Sequence, residues 1–251
     1  MAISKNSIKF IQSLRIKKFR QKYNKFIVEG DKMVGEILMQ EDTAIDFLYA
    51  TDSWIKTHDL ANKISDDKIV KISSGELERI STLKTPNQVL AILDIPSYEI
   101  DSVLIKTEIN LFLDDIQDPG NLGTILRIAD WFGIRQVICS PGTVDVYNPK
   151  VIQSTMGAFL RVNTPVATLE SIINANDHMP VFGAVMDGEN IFKIDRKNEG
   201  LIVIGNEGKG ISPENYPFLT KKISIPATAQ SGAESLNAAV ATGIICAFWK
   251  N

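Results

Sequence analysis

From residue 110 to the C-terminus, short apolar runs alternate with helix-length segments, and this alternation constrains the fold more than any other feature of the chain. Asn110–Leu113 reads as a strand, followed by a helix from Asn121 to Phe132 and a strand at Gln136–Cys139. Asn148-Pro149 opens a helix running to about Phe159, with Asn as its cap and Pro in the first turn. Leu169–Asn176 is helical, Val181–Met186, Leu201–Ile204 and Lys222–Ile225 are strands, and Glu234–Trp249 is a closing helix. Strands joined through helices pair in parallel and are covered on both faces, so the expectation is an α/β domain built on a parallel sheet. Ligands of such sheets bind beyond the carboxyl ends of the strands.

Residues 25–95 alternate in the same way on a smaller scale. Lys25–Glu29 reads as a strand ending at Gly30, Asp31 caps a helix to about Met39, and Ile45–Ala50 is a strand. Ile55–Asn62 is helical, Lys68–Ile72 a strand, Gly75–Ser81 a short helix and Val89–Leu93 a strand. Pro96–Lys106 interrupts the pattern and reads as a linker, which places one domain at 1–98 and another at 107–251. Ahead of both lies a basic amphipathic helix over 5–22, with Ile8, Ile11, Leu14 and Ile16 on its apolar side. Residues 1–25 carry eight basic side chains and no acid, while the rest of the chain holds 19 basic and 30 acidic ones, a net charge of −11. A basic arm on an acidic body is suited to a polyanion, although a solvated basic helix would have the same composition. Being rich in lysine, not arginine, and leading straight into Phe26-Ile27-Val28, it does not read as an organelle presequence.

Several function classes are disfavoured. No apolar run approaches a membrane span. The two cysteines, Cys139 and Cys246, sit in apolar segments, and with only His58 and His178 beside them a zinc site or a Cys–His pair is hard to build. Two buried thiols suit a cytoplasmic protein.

Three segments carry unusual chemistry. In Leu111–Asp130, Asn121 stands at a helix start with Arg127 six residues on. Asn121 serves equally as a helix cap, and Arg127 as a surface ion-pair residue. Ile202–Ile211 contains Gly205-Asn206-Glu207-Gly208-Lys209-Gly210, which follows a strand but has neither dinucleotide-binding nor P-loop spacing. It is either a plain glycine turn or a loop whose backbone a flat ligand approaches closely. Ile223–Ala241 runs through Pro226 and Ser231-Gly232-Ala233 to Ser235-Leu236-Asn237, polar residues at the mouth of a helix rich in Ala and Gly.

Together, in this order and spacing, the three segments resemble the motifs of the SpoU (TrmH-like) group of the SPOUT superfamily. Phe26-Ile-Val-Glu-Gly-Asp-Lys-Met-Val is similar to that group's substrate-binding domain, which has a ribosomal-protein L30e-like shape. The resemblance implies a parallel-sheet domain with a C-terminal trefoil knot, a smaller N-terminal α/β domain and a homodimer formed through the knotted region. It also implies transfer of a methyl group from S-adenosylmethionine to a ribose 2′-hydroxyl of RNA. The implied cofactor-binding residues are Ala184, Gly205, Asn206, Ile225 and Leu236, and the implied catalytic ones are Asn121, Arg127, Glu207, Ser235 and Asn237. The separate N-terminal domain favours ribosomal RNA over tRNA. A tRNA methyltransferase, a non-catalytic RNA-binding module of the same fold and a nucleotide-binding phosphotransferase are the rival readings.

Overall fold

The computed structural model describes residues 3–40, 45–60, 63–228 and 230–250. The chain folds into two compact units. One comprises residues up to Pro96 together with Tyr147–Gly157, the other Ser97–Val146 and residues from Ala158 onward.

The first unit runs α1 (Lys5–Ser13), α2 (Lys17–Tyr23), β1 (Lys25–Glu29), α3 (Asp31–Leu38), β2 (Ile45–Ala50), α4 (Asp52–Thr57), β3 (Ile69–Lys71), α5 (Ser74–Ile80) and β4 (Val89–Asp94). Its sheet has the order β1-β4-β2-β3. β4 is antiparallel to β1 and β2, while β2 and β3 are parallel. The single basic helix expected over 5–22 is two helices. Ile8, Ile11 and Leu14 are buried as the pattern requires, but Ile16 is an extended, 55% exposed residue ahead of α2. The break has a local cause. Buried Arg20 turns back and donates from Nη1 to the Leu14 carbonyl at 2.9 Å, satisfying one of the acceptors that a helix end leaves open. Arg15 likewise donates to the Ser81 carbonyl, and Lys25 pairs with Asp46 and Asp94. Lys5, Lys9, Lys17, Lys18 and Lys22 stay exposed, with no carboxylate partner among the described residues. The helix expected at Ile55–Asn62 lies earlier, over α4, because Thr51 caps it by accepting from Trp54 N; Ala61 and Asn62 lie outside the described residues.

Residues 147–157 fall inside the range expected for the second domain, yet they pack in the first unit. The helix Pro149–Thr155, capped by Asn148 as the sequence suggests, lies against β1, and Phe26 meets Tyr147 with ring centroids 4.8 Å apart.

The second unit contains α6 (Ser102–Thr107), β5 (Ile109–Leu113), α7 (Pro119–Trp131), β6 (Val137–Cys139), α9 (Leu169–Ala175), β7 (Val181–Asn190), β8 (Gly200–Ile204), β9 (Lys221–Ser224) and α10 (Ala238–Lys250); the helix Pro149–Thr155 of the first unit is α8. Its sheet, in the order β6-β5-β8-β7-β9, is parallel throughout. Interior β5 and β8 are buried at every residue, which explains why Leu111–Leu113 and Leu201–Ile204 read as apolar runs, and the buried Asn110 amide in β5 donates to the Leu104 and Glu108 carbonyls. Three expectations change here. Part of the supposed linker is α6, because Asp101 Oδ1 accepts from Val103 N and Leu104 N while Leu104 and Ile105 face the core. α7 starts at Pro119, not Asn121, with Asp118 as its cap. α10 starts at Ala238, not Glu234, since Asn237 Oδ1 accepts from Ala239 N and Val240 N. Cys139 and Cys246 are buried, and burial pushes both thiols up to about 12, so neither is a nucleophile. Among the described residues no helix is long and apolar enough to cross a membrane.

One buried acid holds the first unit's β1 to the loop after α5. Glu29 accepts from Thr82 N at 2.8 Å and from the hydroxyls of Ser81 and Thr82. Glu29→Ala strands these donors and should lower unfolding free energy by about 2 kcal/mol in urea titrations.

Candidate active site

Because β5, β8, β7 and β9 are adjacent and parallel, the loops leaving their carboxyl ends emerge side by side. The ends of β7, β8 and β9, the segments that follow β8 and β9, and the start of α10 enclose a cavity of about 620 Å³, within the range of small-molecule sites. Its walls include Ile204, Ile211, Ile223 and Ala241, and its rim carries Asp187, Tyr216 and Glu234. Ala184, Gly205, Asn206, Ile225 and Leu236, the five residues implied as cofactor-binding, all line it.

The loop Gly205–Gly210 closes on itself. Asn206 and Gly210 exchange two backbone hydrogen bonds of 2.9 Å, and Gly210 has φ of +71°. A methyl group at Gly205 would lie 2.3 Å from the Gly210 carbonyl carbon and 2.4 Å from Ile211 N. Glycine is therefore required at 205 by the loop's own backbone, before any ligand is considered. The Asn206 amide is engaged at both ends. Nδ2 donates to the Asp115 carbonyl at 2.7 Å, and Oδ1 accepts from Gly208 N and Lys209 N. It binds the loop after β8 to the loop after β5, and Asp114 does the same by accepting from Ser212 N at 2.7 Å and Ser212 Oγ at 3.0 Å.

Next to this staple stands the second group. Glu207 Oε1 accepts from Asn121 Nδ2 at 2.8 Å and from Asp118 N at 3.2 Å, and Oε2 accepts from Gln117 N at 3.3 Å. Asn121 Oδ1 in turn accepts from Asn237 Nδ2 at 2.8 Å. Asn121 is thus not the helix cap. Asp118 takes that role by accepting from Asn121 N at 2.8 Å, which frees the Asn121 side chain to join residues from two distant loops. Glu207 and Ser235 line the cavity, and Ser235 makes no hydrogen bond among the described residues. Arg127 is brought to neither the cavity nor the chain of side chains. It is exposed on α7, without a hydrogen bond or ion pair among the described residues. Asp114, Asp118 and Gln117 were not foreseen as site residues. For Asp118 the signal was present, an acid directly before a proline at a helix start.

Burial pushes the Glu207 carboxyl upward, but the hydrogen bonds from Asn121, from its own amide and from Gln117 and Asp118 outweigh it and hold the group below the usual glutamate value. A depressed value means that the network's contribution is in place above the unfolded-state glutamate pKa and is lost as pH falls through the lower, folded one.

A parallel α/β unit with a cavity beyond its strand ends, and amide and carboxylate side chains joined at its mouth, defines an enzyme-like small-molecule site. Residues 108–247 match the SpoU rRNA Methylase family, and the chain belongs to that family. Residues 5–91 match the MRM3-like substrate binding domain. The chain is 29% identical over 241 residues to the 23S rRNA (guanosine(2553)-2′-O)-methyltransferase RlmP of Bacillus subtilis, covering 95% of this chain and 93% of that protein. Among solved structures, a protein from Porphyromonas gingivalis assigned to the TrmH family of RNA methyltransferases is 38% identical, with a TM-score of 0.88 over 99% of this chain and 98% of that one. An AdoMet-bound rRNA methyltransferase from Sinorhizobium meliloti is 25% identical, with a TM-score of 0.86 over 100% of this chain and 96% of that one.

Two measurements check the site. A carboxyl ¹³C titration should place the Glu207 midpoint below the ordinary glutamate value, and Asn121→Ala should move it up. Gly205→Ala forces the bridge between Asn206 and Gly210 apart; it should cost on the order of 1–3 kcal/mol in denaturant unfolding and accelerate amide exchange at those two residues.

Proposed function

We propose that this protein transfers the methyl group of S-adenosylmethionine to a ribose 2′-hydroxyl of RNA, with ribosomal RNA as the substrate class. The observation that carries this reading is the placement of the Glu207–Asn121–Asn237 chain at the mouth of a cavity whose lining suits the donor. Apolar walls at Ile204, Ile211 and Ile223 fit a flat heteroaromatic ring, glycine-rich backbone at 205–210 offers groups for its edge, and Asp187 and Glu234 suit a cationic ligand. Ala184, Gly205, Asn206, Ile225 and Leu236 hold the donor in this reading. Bound there, S-adenosylmethionine supplies an electrophilic methyl group on a sulfonium.

The chain's own residues do the rest. Asn121, Ser235 and Asn237 orient the ribose hydroxyl, which is where much of the barrier reduction in a two-substrate transfer originates. Glu207 holds Asn121 in place. Arg127 pairs with the phosphate beside the target ribose and stabilises the forming alkoxide. It keeps its proton, because a guanidinium does not titrate within the range of a working enzyme, and the proton leaving the 2′-hydroxyl passes to the adjacent phosphate or to water as the methyl–sulfonium bond breaks. An exposed, unpartnered arginine outside the cavity lining fits a homodimer in which it serves the cavity of a second copy. The knotted chain path and that homodimer belong to the same reading, as does a cytoplasmic location in which the thiols stay reduced. The exposed lysines of α1 and α2 supply sequence-independent attraction for RNA phosphates.

The test is tritium transfer from labelled S-adenosylmethionine to rRNA and to tRNA from cells lacking the protein. Label in rRNA, with alkali-resistant linkage at one dinucleotide, is expected; label in tRNA would reassign the substrate, and absence of donor binding would overturn the activity. Arg127→Ala should lower transfer on the order of 10²–10⁴-fold with donor affinity unchanged.

A further inference from the structure

We propose that a second cleft, on the first unit, receives an unstacked RNA base; this rests on the RNA methyltransferase reading above. The cleft has a volume of about 500 Å³ and lies between α1 and the β2–β3 edge of the sheet. Phe10, Phe47, Tyr49 and Val70 form its walls, and Asn6 and Ser7 its polar lip. Two observations separate it from an ordinary apolar crevice. Phe47 is 37% exposed, standing on a strand whose register shifts between Ile45 and Phe47, and its ring lies 6.3 Å from that of Tyr49. The Asn6 amide has no partner among the described residues, so both a donor and an acceptor are available at the lip.

Charge decides the occupant. Lys9 is the i+3 neighbour of Asn6 on α1, which places an unpaired ammonium beside the lip. Phe10 continues outward to Tyr23, at 5.1 Å between ring centroids, and Lys22 lies over the Tyr23 ring at 5.2 Å. An apolar peptide would gain nothing from these cations. A nucleotide uses all three features: its ring stacks on Phe47, its base edge pairs with Asn6, and its phosphates meet Lys9 and Lys22. The cleft therefore reads RNA outside the reacting ribose and contributes to the choice of site.

The experiment compares wild type, Phe47→Ala, Phe47→Tyr, Asn6→Ala and Lys9→Ala for binding and methylation of transcribed large-subunit rRNA, with S-adenosylmethionine affinity measured alongside. Phe47→Ala should weaken rRNA binding about tenfold and raise KM without changing kcat or donor affinity, while Phe47→Tyr keeps the stacking platform and wild-type affinity. Lys9→Ala, a surface change that leaves the fold intact, should flatten the salt dependence of binding by about one charge. 5-Iodouridine-substituted rRNA should crosslink to the α1–β2 surface. Wild-type binding and wild-type salt dependence in Phe47→Ala, Asn6→Ala and Lys9→Ala overturn the base site alone. A wild-type protein that binds S-adenosylmethionine but neither binds nor methylates rRNA overturns the rRNA reading on which the base site rests, and one that binds no S-adenosylmethionine overturns the activity itself.

Discussion

A carboxylate accepts hydrogen bonds and donates none, and at Glu207 that asymmetry orders everything around it. Because Glu207 can only accept, the Asn121 amide must present its NH₂ group, which leaves the Asn121 oxygen facing away. That oxygen can be met only by a donor, so Asn237 turns its own NH₂ inward and its oxygen toward the first amides of α10. One ionised group thus sets the orientation of two amides and the start of a helix, across sequence separations of 86 and 116 residues. A glutamine at 207 would have the shape without the instruction.

The parallel sheet makes that geometry possible. Adjacent strands running in one direction deliver the loops after β5, β8 and β9 to the same edge, where Asn206 and Asp114 tie two of them together. These ties are internal to the protein. The loops after β5 and β8 are tied together before a ligand arrives, so binding need not spend free energy ordering them.

The fold was legible in the sequence where burial is two-sided. β5 and β8 have no polar residue facing solvent, and their apolar runs announced them. The ends of helices were harder. Asp118 and Asn121 are both good caps, and only the proline at 119 distinguishes them; Asn237 was visible as a polar residue at a helix mouth but not as the cap itself. α6 was hidden because six residues are too few to show a period. The candidate site was legible as three clusters of residue types and not as a network, since hydrogen bonds between distant loops leave no local trace. Gly205 shows the limit most clearly. The sequence left a plain glycine turn and close approach of a ligand equally open, and the structure shows a need of the loop's own backbone.

The segment Tyr147–Gly157 bears on how such a chain could have been assembled. It lies between stretches of the second unit in the gene and belongs with the first unit in space. A single recombination event near residue 97 would deliver the first unit without its cover on β1, and would leave the second with a helix whose Val151, Ile152 and Thr155 have lost their burial. Separating the two units at residue 97 would therefore also call for a change some fifty residues inside the second one.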